Sequence, residues 1–330
     1  MTPSQVRSHH PLAEGPARGS VRGDPAQRTA RFAWKTLLFV LFVILFGAVV
    51  RITGSGAGCG QHWPTCNGEI AHLPRTTKTL IEFTHRVTSG ASLFPVLALV
   101  VFAFRGFNKG HLVRRTASWS LFFLLVEALI GALLVRRGLV ENDASLLRAI
   151  VMPLHLVNTS ALTAALVLTA WASREPSPRL GLPRNRDGWL LTCGLALVLA
   201  VSVTGAVTAL GDTLFPVSET HTLRAGLAHD QASGSHFLQQ LRALHPVLAL
   251  ATGALLLYLP FRIREGGSSA DLALGARALF FCTLLQLAAG IVNIWLSAPG
   301  YMQVLHLALA TTLWIVLVWT WATHQIETRS

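Results

Sequence analysis

Apolar residues in this chain come in long blocks and do not alternate with polar ones. Eight blocks fall near residues 36–52, 80–104, 116–135, 148–172, 189–210, 239–261, 274–296 and 302–322. Each is about the length a helix needs to cross a hydrocarbon core ~30 Å thick. The pattern predicts an all-α integral membrane protein with eight transmembrane helices. Residues 1–34 lack such a block and hold Pro, Gly and Arg (Arg7, Arg18, Arg22, Arg28), the composition of a disordered basic tail. The first block starts too far in, with too weak a cleavage site after it, for a removed signal peptide.

The second half of the chain echoes the first. Gly47-Ala48-Val49 closes the first block and Gly205-Ala206-Val207 the fifth; Glu127-Ala128-Leu129-Ile130-Gly131 in the third answers Gln286-Leu287-Ala288-Ala289-Gly290 in the seventh. Leu154-His155-Leu156 in the fourth answers Leu305-His306-Leu307 in the eighth, and both of these blocks end in Trp-Ala, Trp171-Ala172 and Trp321-Ala322. The expected architecture is two tandem four-helix bundles. Because four is even, the copies point the same way, a parallel repeat. The implied units are the 1–34 tail, a 35–174 half, a 175–188 linker, a 189–323 half and a 324–330 tail.

Composition agrees. The 330 residues are 52% hydrophobic and 13% charged, against roughly a quarter charged in soluble domains. A formal charge of +12 raises nucleic-acid binding, but the basic residues argue otherwise. About two-thirds of the Lys and Arg fall in the N-terminal tail, alternate loops and the C-terminus, the distribution that sets membrane orientation. Both termini are therefore expected in the cytoplasm, with loops 53–79 and 211–238 outside. In that oxidising setting Cys59 and Cys66, in the turn-rich Gly58–Cys66 segment, are expected to form a disulfide, as a loop staple or with a redox role. A metal site with His62 lacks a second histidine at ligand spacing. Cys193 and Cys282, inside apolar blocks, are expected to be buried small hydrophobes.

Candidate chemistry centres on Ile81-Glu82-Phe83-Thr84-His85-Arg86, where a carboxylate and an imidazole one turn apart share a helix face just inside the membrane. Ionisable groups there are costly and often functional. The repeat matches His85 and His155 with His245 and His306, every one within about two turns of the same end. A lone histidine in a span is usually a packing residue. Four matched in depth point to axial ligation of haem iron in the bundle interiors. Zinc would need a third ligand per half, and a proton relay more acids in line. Three residues before the first histidine of each pair stand Glu82 in one half and Arg242 in the other; Arg86 follows His85, and Pro246 follows His245. Arg242 and Arg86 suit haem propionates. Glu82 suits a proton acceptor or stabiliser of positive charge, its plainer alternative being an ion pair with Arg86 or Arg51. Glu127 is expected to be hydrogen-bonded to a neighbouring helix.

These residues resemble the haem A synthases of cytochrome oxidase assembly. The carrying motifs are Arg51-Ile52-Thr53-Gly54-Ser55-Gly56, the Cys59/Cys66 loop with Trp63-Pro64, Glu82–Arg86 and the later Leu-His segments, over residues 35–322. The resemblance implies oxidation of the C8 methyl of haem O to the formyl of haem A. It implies substrate haem on His85 and His155, haem b on His245 and His306, Glu82 as the essential carboxylate, and a Cys59/Cys66 pair assisting electron transfer or haem delivery. A haem O synthase is the implied partner and a quinone a possible electron acceptor. Some members carry a second cysteine pair after the fifth helix, which residues 211–238 lack; Pro246 stands where an Arg might be expected. The competing readings are a dihaem cytochrome b-like quinone oxidoreductase and a transporter.

Overall fold

The computed structural model describes residues 25–70, 74–175, 178–216, 230–265 and 269–328. Eight helices are long and apolar enough to cross a membrane: Pro25–Ile52, Thr77–Gly106, Leu112–Arg136, Leu146–Ala172, Arg186–Leu214, Phe237–Glu265, Ala270–Trp295 and Gly300–Glu327. They are called the first to eighth spans below. The fold is all-helical among the described residues, the form in which each segment meets its own backbone hydrogen bonds in lipid. Large apolar side chains, among them Phe94, Leu129, Leu250, Phe281 and Trp295, lie on the outside, as lipid contact requires.

Several boundaries differ from expectation for local reasons. The first span begins at Pro25, inside the segment expected to be a disordered tail. Proline suits a first helical turn, where no backbone donor is needed. Thr29 donates to the Pro25 carbonyl at 2.8 Å, and Thr29, Ala30 and Ala33 are buried. Residues 1–24 of that tail lie outside the described residues. The second span breaks at Ser92 into Thr77–Ala91 and Leu93–Gly106, because Pro95 cannot donate to the carbonyl four residues back. The sixth opens with a short helix Phe237–Gln240 and a 3-10 turn Leu241–Ala243 before Leu244–Glu265. Pro246 disfavours a continuous α-helix through residue 242 for the same reason. The other cysteines depart from expectation as well: Cys193 is exposed and Cys282 only half-buried. Each lies on a span whose outer face meets lipid, so burial in the bundle is not needed to shield it.

Among the first four spans the packed neighbours are one with two, two with three, three with four and one with four. Among the last four they are five with six, six with seven, seven with eight and five with eight. The fourth span packs on the fifth and eighth, and the first also touches the eighth. The main apolar core joins both sets at one end. It contains Leu37, Leu99, Val113, Leu166, Trp171, Leu191, Leu259, Leu272 and Leu317. Trp314 Nε1 donates to the Ser160 carbonyl at 2.9 Å, tying the eighth span to the fourth. All four histidines lie towards the other end, where only small apolar clusters occur, around Leu134, Leu139 and Val151 and around Ala149, Leu210 and Leu238.

Candidate functional site

The Ile81–Arg86 stretch lies in the first turns of the second span, capped by Thr76, whose side chain accepts the Thr79 N–H at 3.2 Å. Glu82 is buried, 3% exposed. Its Oε2 accepts the Cys59 backbone N–H at 2.8 Å. Its Oε1 accepts from Arg86 Nε at 3.1 Å and from the Arg86 Nη2 at 2.5 Å. The other guanidinium nitrogen of Arg86 donates to the Thr65 carbonyl at 2.6 Å and to that of His62. Thr79 donates to the Gly58 carbonyl at 2.9 Å. A Cβ at Gly58 would stand 2.7 Å from the backbone of Lys78 and Thr79, so the loop reaches the helix only because residue 58 is glycine. The disulfide Cys59–Cys66 thus closes a loop that Glu82 and Arg86 hold by its main chain. The ion pair considered from sequence exists, with Arg86 as partner.

Arg51 serves elsewhere. Its guanidinium donates to the Ala209 carbonyl at 2.9 Å and to Thr213 Oγ1 at 2.6 Å, joining the first span to the end of the fifth. Arg242 meets Asp212 at 2.8 Å and Asp230 at 3.0 Å, and donates to the carbonyls of Gly211 at 2.9 Å and Phe215 at 2.5 Å. The two residues that precede the first histidine of each half are therefore both bound into loop-anchoring networks, one through an acid and one through a base.

The four histidines are half-buried. Three pack against glycine: a Cβ at Gly47 would lie 3.1 Å from His85 Cε1, one at Gly205 2.9 Å from His245 Cε1, and one at Gly290 3.2 Å from His306 Cε1. No atom lies within 4 Å of the corresponding point at Gly131. His155 instead has its Nδ1 3.5 Å from Glu127 Oε1. His245 Nδ1 lies 3.2 Å from the Val201 carbonyl and 3.3 Å from Thr204 Oγ1, and His306 Nε2 lies 3.2 Å from the Gln286 amide. The rings of His245 and His306 lie in a T-shaped, edge arrangement, centroids 6.3 Å apart and planes at 90°.

Paired imidazoles are donors that would suit a metal-bearing group. His85, His155 and His306 each keep a buried Nδ1 without a hydrogen bond of normal length, unusual for polar atoms in a packed interior. No group of three or more His, Cys, Asp and Glu side chains gathers as a metal site among the described residues, so the donor sets are pairs. Pairs suit axial ligation of haem iron.

Sequence reasoning missed three polar groups here. Asn158 Nδ2 donates to Glu127 Oε2 at 2.5 Å and to the Phe123 carbonyl at 2.9 Å, and Thr159 donates to Glu127 Oε1. They follow His155 by three and four residues, the helical spacing that could have flagged them. Arg148, 4% exposed, donates to the carbonyls of Glu141 at 2.7 Å and Asp143 at 2.8 Å, while its Nε makes no hydrogen bond among the described residues. It precedes His155 by seven residues, on the same face.

Fold and site together define a multi-pass helical membrane protein carrying paired imidazoles inside its helix sets. The chain belongs to the COX15-CtaA family, whose model, described as "Cytochrome oxidase assembly protein", matches residues 30–318. It is 46% identical over 303 residues to the "Protoheme IX farnesyltransferase" of Thermus thermophilus, covering 91% of this chain and 49% of that protein. It is 37% identical over 139 residues to the "Heme A synthase" of Geobacillus kaustophilus, 42% of this chain and 41% of that protein. The "Heme A synthase" of Bacillus licheniformis is 37% identical over 136 residues, 41% of this chain and 42% of that protein. The chain spans about half the length, or less, of these curated relatives.

Proposed function

We propose that this protein is a haem A synthase that oxidises the C8 methyl of haem O to the formyl of haem A. Supporting this are its family and its similarity to proteins named heme A synthase. The observation that carries it is a set of four half-buried histidines towards one end of the helices, two of them, His245 and His306, with ring centroids 6.3 Å apart, and a buried carboxylate, Glu82, one turn before His85. In this reading His85 and His155 hold the substrate haem, and His245 and His306 hold a haem b. Taking the methyl to the formyl adds one oxygen from water and releases four protons and four electrons, and a haem b there would supply a one-electron carrier for those electrons. The matched glycines Gly47 and Gly205, each against a histidine, support the duplicated-bundle architecture.

Within this assignment Glu82 receives a proton from the reacting centre or stabilises charge there, while Arg86 keeps the carboxyl in place. The guanidinium groups first assigned to propionates, Arg86 and Arg242, already face carboxylates. Arg148, with a free buried Nε, is an additional propionate partner at the outer rim of the first half. The histidine end is the outer face and both termini are cytoplasmic, following the positive-inside distribution. The Thermus relative, whose name denotes farnesyl transfer to protohaem and of which this chain matches about half, supports a farnesyl-transferring haem O synthase as partner. A quinone is the proposed final electron acceptor.

The test is the haem content of the purified protein by type and amount. Haem A or a partly oxidised haem O, with haem B in the second half, is expected. Two haem B groups and no oxidised haem O when haem O is supplied would instead favour a dihaem electron carrier, and a folded protein that binds no haem would favour a transporter.

A further inference from the structure

Glu127 is an acid in the middle of the third span, matched in sequence by the neutral Gln286 in the seventh. Each lies beside the second histidine of its half but on a different ring nitrogen: Glu127 Oε1 is 3.5 Å from His155 Nδ1, and Gln286 Nε2 is 3.2 Å from His306 Nε2. The surroundings differ more than the pair itself. The Glu127 carboxyl is bracketed by Asn158 on one oxygen and Thr159 on the other. At the corresponding positions after His306 stand Leu309 and Ala310, which offer no side-chain donor, and the Gln286 Oε1 is buried without a hydrogen bond. Asn158 also bonds the Phe123 carbonyl one turn before Glu127, so the bracket is braced against the third span itself. Thr159 Oγ1 lies 2.9 Å from the His155 carbonyl as well, linking carboxyl, bracket and imidazole within one turn of the fourth span.

We propose that Glu127 is a positioning residue: from its place 3.5 Å away its carboxyl would close on the Nδ1–H of His155 when the ring holds iron, fix the tautomer that leaves Nε2 as the donor, and make that imidazole a stronger donor than His306. This rests on the reading of His155 as an axial ligand. A carboxylate behind a ligating histidine raises the basicity of the ring and orients it. A more basic ligand favours the ferric over the ferrous state and so lowers the reduction potential of the haem it holds. Gln286, a neutral amide, exerts no such pull. The first-half haem is thereby the more easily oxidised of the two for its surroundings, and the bracket of Asn158 and Thr159 keeps the carboxyl aimed at the ring.

The experiment is a redox titration with electron paramagnetic resonance of full-length protein in detergent, saturated with added haem B. Glu127→Gln, which copies the residue of the other half, should retain both haems. Its first-half haem should lose on the order of tenfold in ferric-over-ferrous preference, a rise of ~59 mV for one electron, with a change in that haem's low-spin signal. Thr159→Val, nearly isosteric, should move the same component in the same direction by less, and Gln286→Ala should leave it unmoved. Unchanged potentials and signals in both Glu127→Gln and Thr159→Val would overturn the proposal. If Glu127→Gln does not insert, Thr159→Val and Asn158→Ala decide it by the same readout. His155→Ala separates the two levels: a first-half haem with an unchanged spectrum in that variant would refute the ligand assignment itself.

Discussion

The two halves of this protein share a plan and differ at the residue before the first histidine. In the first, Glu82 takes the Cys59 N–H and pairs with Arg86, and together they grip the disulfide loop. In the second, the base is at the helix start and the acids are outside it: Arg242 faces Asp212 and Asp230. Pro246 follows His245, and the sixth span starts with a 3-10 turn that carries Arg242. The same task, docking an outer segment on a helix start, is thus done with opposite charge. Of the two matched helix starts, only that of the first half has a carboxylate one turn before its histidine, Glu82 before His85. The second histidines repeat the contrast, an acid behind His155 and an amide behind His306. Under the proposed function, asymmetry at matched positions would let one half be reactive and the other a relay.

That comparison is broken most severely at the ligands. His245→Ala or His306→Ala should remove the second-half haem entirely while the protein remains inserted and the first-half haem stays. Absorption spectra and haem quantification would show it, and unchanged b-type spectra in both variants would end the pairing. Next come the two guanidinium groups. Arg242→Met leaves two buried carboxylates without their shared cation, and Arg86→Met does the same to Glu82; each should cost about 3–5 kcal/mol, read as a lower Tm in detergent. Only Arg86→Met should also expose the Cys59–Cys66 loop to protease, because of the two arginines only Arg86 bonds its main chain. Equal loop protection in both variants would erase that distinction. Smallest is the effect of the glycines. Gly205→Ala places a methyl 2.9 Å from His245 Cε1, so haem should bind the second half several-fold more weakly. Gly131→Ala meets nothing within 4 Å and should be neutral, or stabilising by up to ~1 kcal/mol from helix propensity. Equal haem affinity in the two variants would remove the steric argument.

Much of this was legible in the sequence. The eight spans follow from block length, because lipid leaves the chain few alternatives to helix. The Cys59–Cys66 bridge and the hydrogen-bonding of Glu127 to a neighbouring helix also follow from local chemistry. What was not legible depends on partners far along the chain. Nothing in their spacing along the chain links Asp212 and Asp230 to Arg242; only the fold brings them together. The helix at Pro25–Trp34 was read as tail because its residues are polar; its burial comes from packing that composition does not record. Arg148 and the Asn158/Thr159 bracket carry their signal in spacing from His155, which has meaning only once that histidine is taken as a ligand. Cys193 was assigned inward by its apolar neighbours, although in a membrane an apolar face can equally look out.

In the proposed function, Glu82 separates a reactive half from a carrier half. That separation is tested most directly by supplying haem O to cells making the Glu82→Gln variant and quantifying the extracted haems beside wild type. The account predicts both haem sites still occupied and haem A absent or reduced at least a hundredfold, in line with loss of a general acid–base group. Haem A at the wild-type level in Glu82→Gln would contradict it.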